Sequence, residues 1–140
     1  MAQSPFILQE QQFQKLKKSA EAGDAEAQYN LGQAYEYGEY DQVDLVEALR
    51  WYQKAARLGY DHAQFKLSIF YEDGKACEVD FSAAYEWAEK AALQGLVHAQ
   101  KRVSAFLSLG KGVARDLQKS AYWEKEFLIR EAKEGSMAAL

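Results

Sequence analysis

The sequence predicts an all-α solenoid of about three helix–turn–helix repeats, preceded by an N-terminal capping helix. The first observation is a segment that recurs at a constant offset: Ala27, Ala63 and Ala99 are 36 residues apart, and each is followed by glutamine. A period of this size is typical of stacked helical repeats. The second observation is that the only proline is Pro5, so no proline interrupts the later helices.

Composition and length favour one globular domain over residues 1–140. The chain has 140 residues, of which 49% are hydrophobic and 27% charged, and its net charge of −4 disfavours nucleic acid as a partner. No apolar run is long enough to span a membrane, and the first 14 residues lack the features of a signal peptide. We therefore expect a cytoplasmic protein, or a periplasmic one if a signal peptide has been removed.

Glycines and helix caps divide this domain into its elements. Ser4 before Pro5 is typical of a helix start. The glycines that recur between the two helices of each repeat suit a chain reversal, because glycine adopts a positive φ without a steric penalty. The sequence predicts an N-terminal helix over 4–22, repeats over 23–58, 59–94 and 95–134, and a tail or the start of a truncated repeat over 135–140.

Aspartates recur where the helices are expected to begin. Asp44, Asp80 and Asp116 are predicted N-caps of the second helix in each repeat. Glu47 is expected to complete a capping box with Asp44. For the first helices, Asp24 and Asp61 are the predicted caps. Three tryptophans recur on the second helices and are interpreted as core residues: Trp51, Trp87 and Trp123.

A longer pattern now emerges from these repeated residues. It reads Ala-Gln-x-x-Leu-Gly-x-x-Tyr, then a glycine turn and an aspartate cap, then Ala-x-x-Trp-Tyr-x-Lys-Ala-Ala, and it lies at 27–35, Gly38, Asp44 and 48–56. This pattern resembles the Sel-1-like repeat, a relative of the tetratricopeptide repeat. The third copy departs from it, since Phe127 and Leu128 occupy small alanine positions, as in a terminal capping unit.

The resemblance implies a right-handed α-α superhelix and a non-enzymatic adaptor for proteins. It also implies that the outward stripe of each first helix lines a concave groove. Aromatic and apolar groups beside cations on that stripe suit a peptide or partner protein that carries a carboxylate or acidic side chain. The predicted partner-binding residues are Tyr29, Asn30, Gln33, Tyr37, His62, Phe65, Lys66, Ile69, Lys101 and Arg102.

Residues that could carry other chemistry have plainer interpretations. His62 and His98 occupy equivalent repeat positions, and equivalent atoms of stacked helices lie about 10 Å apart, too far for one shared zinc ion. The only cysteine, Cys77, cannot form an intrachain disulfide and lies near Glu78 and Asp80, which oppose a thiolate. We therefore predict no catalytic residue, cofactor or metal.

Three alternatives to an adaptor stay open at this point. Residues 21–50 contain eight acidic residues and one arginine, so an inhibitory or immunity-type protein could block a basic site of a bacterial enzyme or toxin. The start of a further repeat at Gly135 motivates a scaffold fragment of a longer array. An enzyme is the third alternative. Exposed apolar groups at the array ends would allow homo-oligomers.

Overall fold

The computed structural model describes residues 4–139, and the side chains of residues 4–135. Helices follow one another without a strand throughout this part of the chain. Their bounds are α1 Pro5–Glu21, α2 Ala25–Tyr37, α3 Leu45–Arg57, α4 Asp61–Asp73, α5 Phe81–Leu93, α6 Val97–Leu109 and α7 Leu117–Ala139.

Most of the predicted caps are confirmed. The Ser4 hydroxyl accepts from the N–H of Ile7 at 3.3 Å, and the Asp24 carboxylate accepts from Ala27 at 3.0 Å. Three further aspartates accept, at 3.0–3.1 Å, from the N–H three residues later, and they are Asp44, Asp80 and Asp116. Each of these bonds satisfies a backbone donor that the first helical turn leaves without an intrahelical partner.

Two predicted cap contacts are wrong. Asp61 is the first residue of α4 rather than its cap, and its carboxylate accepts from the adjacent His62 N–H at 2.7 Å. The capping box of Glu47 does not form, because the Asp44 N–H donates instead to the Tyr35 carbonyl at 2.9 Å. The same bond recurs at Asp80 and Asp116, so it ties together the two helices of each repeat.

The last helix extends beyond its predicted end at about residue 134. It continues through Gly135 to Ala139, and Gly135 is not among the glycines with positive φ. Glycine therefore acts as a helix residue here, whereas Gly38 and Gly110 end their helices with φ of 66° and 67°. Of the tail predicted over 135–140, Leu140 and the side chains from 136 onward lie outside the description.

The chain forms two compact units, residues 1–63 and residues 64–140. The core of the first unit is a cluster of buried residues: Phe13, Ala20, Ala27, Leu31 and Trp51. Phe13 stacks on Tyr40 with ring centroids 5.0 Å apart and meets the ring of Tyr35 edge-on at 6.0 Å. Fully buried Tyr52 donates from its hydroxyl to Glu36 at 2.6 Å.

The core of the second unit is built mainly from α5 and α6. Its buried residues are Ala84, Tyr85, Ala88, Ala91, Ala92, Ala99, Val103, Phe106, Leu107 and Trp123. Two serines join helices within it: the Ser68 hydroxyl donates to the Ala84 carbonyl at 2.7 Å, and the Ser120 hydroxyl donates to the Ser104 carbonyl at 2.9 Å. The predicted core tryptophans Trp51 and Trp123 are buried, whereas Trp87 is only half-buried.

Candidate partner-binding surface

The predicted stripe of the first unit lies mainly on α2. Asn30, Tyr37 and His62 are exposed, and Tyr37 leaves 63% of its surface accessible. Tyr29 and Gln33 are half-buried, and the Gln33 amide donates to the Tyr29 hydroxyl at 3.0 Å. The stripe therefore places an exposed amide and an exposed aromatic group on one helix, about two turns apart.

Three rings of this unit form an aromatic patch, made of Tyr29, Tyr60 and His62. Their centroids are 5.1 Å apart for Tyr29 and Tyr60, and 5.9 Å apart for each of the other two pairs. Behind them, the buried ring of Tyr52 lies 5.7 Å from Tyr29. Aromatic rings at such distances attract one another, and all of these pairs are tilted.

Tyr60 was not predicted from the sequence. It precedes α4 and so lies outside the helical stripe that defined the prediction. One signal could have pointed to it, since Tyr60 occupies the repeat position of Asp24 and Leu96, where the residue changes in every copy. Positions that differ between copies are the ones that can carry specificity in a repeat protein.

Carboxylates surround the aromatic patch. Asp61 contacts the His62 ring, with its Oδ1 2.8 Å from Nδ1. Glu26 is exposed and makes no ion pair with any residue of the described part. Burial raises the pKa of Tyr60 above its usual range, and the negative charges of Glu26, Asp61 and Asp24 raise it further. The patch therefore lies in a negative local potential.

A cleft of about 320 Å³ opens between α1 and α2 of the first unit. It shares Glu26 with the surroundings of the aromatic patch, and six of its eight lining residues carry polar or charged side chains. The lining residues are Gln12, Lys15, Leu16, Ser19, Asp24, Glu26, Ala27 and Asn30. Such a lining offers both hydrogen-bond donors and acceptors to an extended peptide.

The predicted site residues of the second unit lie on α4 and α6. Phe65 packs against the buried core, and its ring centroid lies 6.2 Å from that of His98. Lys66 and Ile69 are half-buried, whereas Lys101 is exposed. The apolar side chains of the stripe, Phe65 and Ile69, are therefore partly buried by packing within the chain.

Two of the predicted cations of this unit hold carboxylates of the chain itself. Arg102 forms a close ion pair with Glu72, and its Nε donates to the Ser68 hydroxyl at 3.0 Å. Lys111 binds the other Glu72 oxygen at 3.0 Å. Lys101 forms a close ion pair with Glu131. The sequence did not predict Glu72 and Glu131 as partners, because these pairings depend on how distant helices pack.

Other chemistry has little support within the described side chains. No three His, Cys, Asp or Glu residues among them are placed to hold a metal ion. Burial raises the pKa of the Cys77 thiol and the Asp80 charge raises it further, which opposes a reactive thiolate. None of the described helices is long and apolar enough to cross a membrane.

Comparison with known families and structures agrees with the helical pairs. The family profile described as Sel1 repeat matches residues 25–60, 61–96 and 97–123. The chain belongs to the Sel1 repeat family. Sel1 repeats are generally protein–protein interaction modules, and their fold is typically a non-enzymatic scaffold. Comparison with curated protein sequences found no match.

Solved structures of Sel1 repeats share this fold. The chain is similar to c5321, a protective antigen of uropathogenic Escherichia coli with an SLR fold, at 35% identity and a TM-score of 0.81. This similarity covers 84% of the chain but only 25% of c5321, so the chain spans a quarter of that antigen. A Sel1 repeat protein from Oxalobacter formigenes is 31% identical, with a TM-score of 0.79, and the match covers 86% of this chain and 93% of that one.

A more distant structure extends the similarity along the chain. Cysteine rich protein B of Helicobacter pylori is 18% identical, with a TM-score of 0.68, and the match covers 98% of each chain. This likeness concerns the fold alone. Together, the comparisons confirm the predicted family and the predicted all-α solenoid fold class.

Proposed function

We propose that this Sel1 repeat protein is a non-enzymatic adaptor that binds a peptide or partner protein through the exposed stripes of its first helices. One observation carries the proposal: aromatic and polar groups stay accessible on α2, where Tyr37 is 63% exposed and Asn30 is exposed as well. Exposed aromatic side chains are enriched at binding interfaces, because one side chain supplies a large contact area at low entropic cost.

The cations of the second unit bear on the chemistry of the partner. In the second unit, an acidic partner stays a prediction, and its carboxylate would replace Glu131 on the exposed Lys101. Arg102 is less suited to such an exchange, because Ser68 and Glu72 already bind its guanidinium. An exposed ion pair contributes only about 0–1 kcal/mol, so replacing Glu131 would cost little.

A peptide-display selection against the full chain tests the adaptor proposal. We expect selected peptides to bind Tyr37→Ala and Asn30→Ala variants at least about fivefold more weakly, since interface aromatic residues dominate binding energy. The matched control is Tyr122→Ala, because Tyr122 is 57% exposed on α7. Circular dichroism confirms that each variant is folded. Peptides that bind both α2 variants as tightly as the unchanged chain contradict the proposal.

Other sequence predictions stay predictions. An inhibitor of a bacterial enzyme or toxin remains an alternative because the carboxylates of Glu26, Glu39 and Asp41 are exposed in the first unit. Rescue of growth on co-expression with a toxin encoded next to this protein would favour it over the adaptor. The full gene sequence tests whether the chain is a fragment of a longer scaffold. A native mass measurement tests the homo-oligomer, and cell fractionation tests the cytoplasmic location.

A further inference from the structure

We propose that the aromatic patch of the first unit receives an arginine side chain of the protein partner, with the guanidinium on the rings of Tyr29 and Tyr60 and beside the carboxylates of Glu26 and Asp61. The inference rests on the proposed adaptor function and names the partner chemistry at one of its surfaces. It differs from the carboxylate-bearing or acidic partner that the sequence predicts for the stripe as a whole.

The geometry of the patch suits a flat cation. The Tyr29 and Tyr60 rings are 5.1 Å apart and inclined at 45°, and the His62 ring adjoins both. A guanidinium within about 6 Å of a tyrosine centroid is attracted by the negative face of the ring. Two adjacent tyrosines and the accessible edge of His62, whose side chain is 52% exposed, therefore offer one continuous surface to it.

The charges around the patch favour the same occupant. Glu26 is exposed without an ion pair in the described part, and the Asp61 side chain is 30% exposed beside the rings. Residues 21–50, which include Glu26, contain eight acidic residues against one arginine. A negative field of this kind attracts a basic partner and raises its association rate.

Arginine fits the surface better than lysine. Its planar guanidinium stacks on rings and donates two parallel hydrogen bonds to a carboxylate, whereas an ammonium group acts as a point charge. Contacts between a lysine ammonium and an aromatic ring already occur elsewhere in the same unit. The Lys54 ammonium lies 4.4 Å from the centroid of the Trp51 ring, and the Lys17 ammonium lies 4.2 Å from that of the Phe13 ring.

The cleft between α1 and α2 extends the binding surface. Glu26 lines the cleft and lies near enough to Tyr60 of the patch for its charge to act on that side chain. Asn30 lines the cleft one turn further along α2. A peptide whose arginine occupies the patch can therefore lay its neighbouring residues in the cleft, where amide and hydroxyl groups bind its backbone.

An NMR titration of the full ¹⁵N-labelled chain tests the proposal. The probe is N-acetyl-arginine amide, and the neutral isostere N-acetyl-citrulline amide is its control. We expect saturable shifts of the Tyr29, Tyr60 and His62 signals with the arginine probe and none with citrulline. Equal shifts with both probes, or arginine-specific shifts confined to other residues, would overturn the inference.

Variants assign the binding to the patch. Glu26→Gln and Tyr60→Leu are each expected to weaken arginine binding about threefold, the size of an exposed charge pair or cation–π contact. Matched controls on α7 are Glu124→Gln and Tyr122→Leu, which should leave the affinity unchanged. Glu26 is exposed, so its variant keeps the fold even if Tyr60→Leu does not. Unchanged affinity in Glu26→Gln would count against the inference.

The peptide selection separates this inference from the proposed function. Selected peptides that depend on Tyr37 and Asn30 and are enriched in arginine support both. Peptides that depend on those residues without any enrichment in arginine preserve the adaptor function and overturn the arginine site. A third outcome is that the NMR shifts are specific for arginine while the selected peptides bind the Tyr37→Ala and Asn30→Ala variants as tightly as the unchanged chain. This outcome would support the arginine site and contradict the adaptor function.

Discussion

Gly112 lies against the backbone of Phe81 so closely that a Cβ atom on Gly112 would overlap the Phe81 carbonyl oxygen. Its φ of 72° is also in the left-handed region that favours glycine. The overlap and the left-handed φ thus each require glycine at this turn of the second unit. Both involve the backbone, so rotating a side chain would relieve neither of them.

The first prediction concerns this turn. Gly112→Ala should destabilise the chain by more than about 2 kcal/mol, because the left-handed conformation alone costs about 1–2 kcal/mol and the overlap adds to it. Urea denaturation measures the loss. The control is Gly135→Ala, since an added Cβ there meets nothing within 4 Å in a helical segment. That control should gain up to about 1 kcal/mol, and equal effects of the two changes would contradict the prediction.

The second prediction concerns Ala76, the equivalent of Gly112 one repeat earlier. Ala76 has a φ of 56° and is the one non-glycine residue with positive φ in the described part. Ala76→Gly should stabilise the chain by about 0.5–1 kcal/mol, because relief of the left-handed strain exceeds the added entropy of the unfolded glycine. The midpoint of urea unfolding should rise, and a fall would show that the alanine methyl group makes a contact worth more than the strain.

The third prediction concerns the network of Glu72, Arg102 and Lys111. The side chains of Glu72 and Arg102 are each 23% exposed, so solvent screens their ion pair only in part. Replacing Arg102 in Arg102→Gln should cost about 1.5–3 kcal/mol, the range for hydrogen bonds to charged groups. A double-mutant cycle with Glu72→Gln should give a coupling energy of about 1 kcal/mol.

The surface pair of Arg50 and Glu47 is the control for this network. Its nitrogen and oxygen are 3.5 Å apart, and the Arg50 side chain is 62% exposed. The same double-mutant cycle should give about 0.2–0.5 kcal/mol there. Equal coupling energies at the two sites would mean that burial does not strengthen the Glu72 network.

The fourth prediction concerns stability at high pH. Burial, and then the hydrogen bond to Glu36, raises the pKa of Tyr52 far above its usual range, and burial followed by Glu89 raises that of Tyr85. Unfolded tyrosine loses its proton near pH 10, while the folded side chains keep theirs. The contribution of the two tyrosines to folding stability is therefore complete below about pH 10. Above that pH the free energy of unfolding falls by up to about 1.4 kcal/mol per pH unit for each tyrosine.

Chemical denaturation between pH 8 and pH 11.5 measures this slope. Tyr52→Phe should lower stability by about 1 kcal/mol at pH 8, because it removes the hydrogen bond to Glu36, and should flatten the decline above pH 10. A variant with the same slope as the unchanged chain would show that other groups cause the loss of stability at high pH.

The sequence predicted the helical pairs well because their signals are local. Ser4, Asp24 and Asp44 each cap a helix through a bond that spans three residues, and the capping geometry is largely independent of distant contacts. The Glu47 capping box failed for the opposite reason. The Asp44 N–H found the Tyr35 carbonyl, nine residues away, once the two helices had packed together.

The candidate site was predictable only in part. Asn30, Tyr37 and His62 are exposed as the helical period indicated. The helical periodicity of the sequence could not show that Tyr60 contacts Tyr29 and His62. Tyr60 precedes α4, and its ring meets the other two only through tertiary packing. Nor could the periodicity show that the Arg102 guanidinium would be taken by Glu72, 30 residues away in the sequence.

By itself, the sequence determined the family, the repeat period and most of the helix starts, since each rests on bonds and backbone preferences within a few residues. The tertiary structure alone decided which charged and aromatic groups meet. The carboxylates of Glu72 and Glu131 bind cations of the second unit, while Glu26 of the first unit remains exposed beside the aromatic patch. The physical reason is that burial and electrostatic pairing depend on distances in space, which the order of residues does not specify.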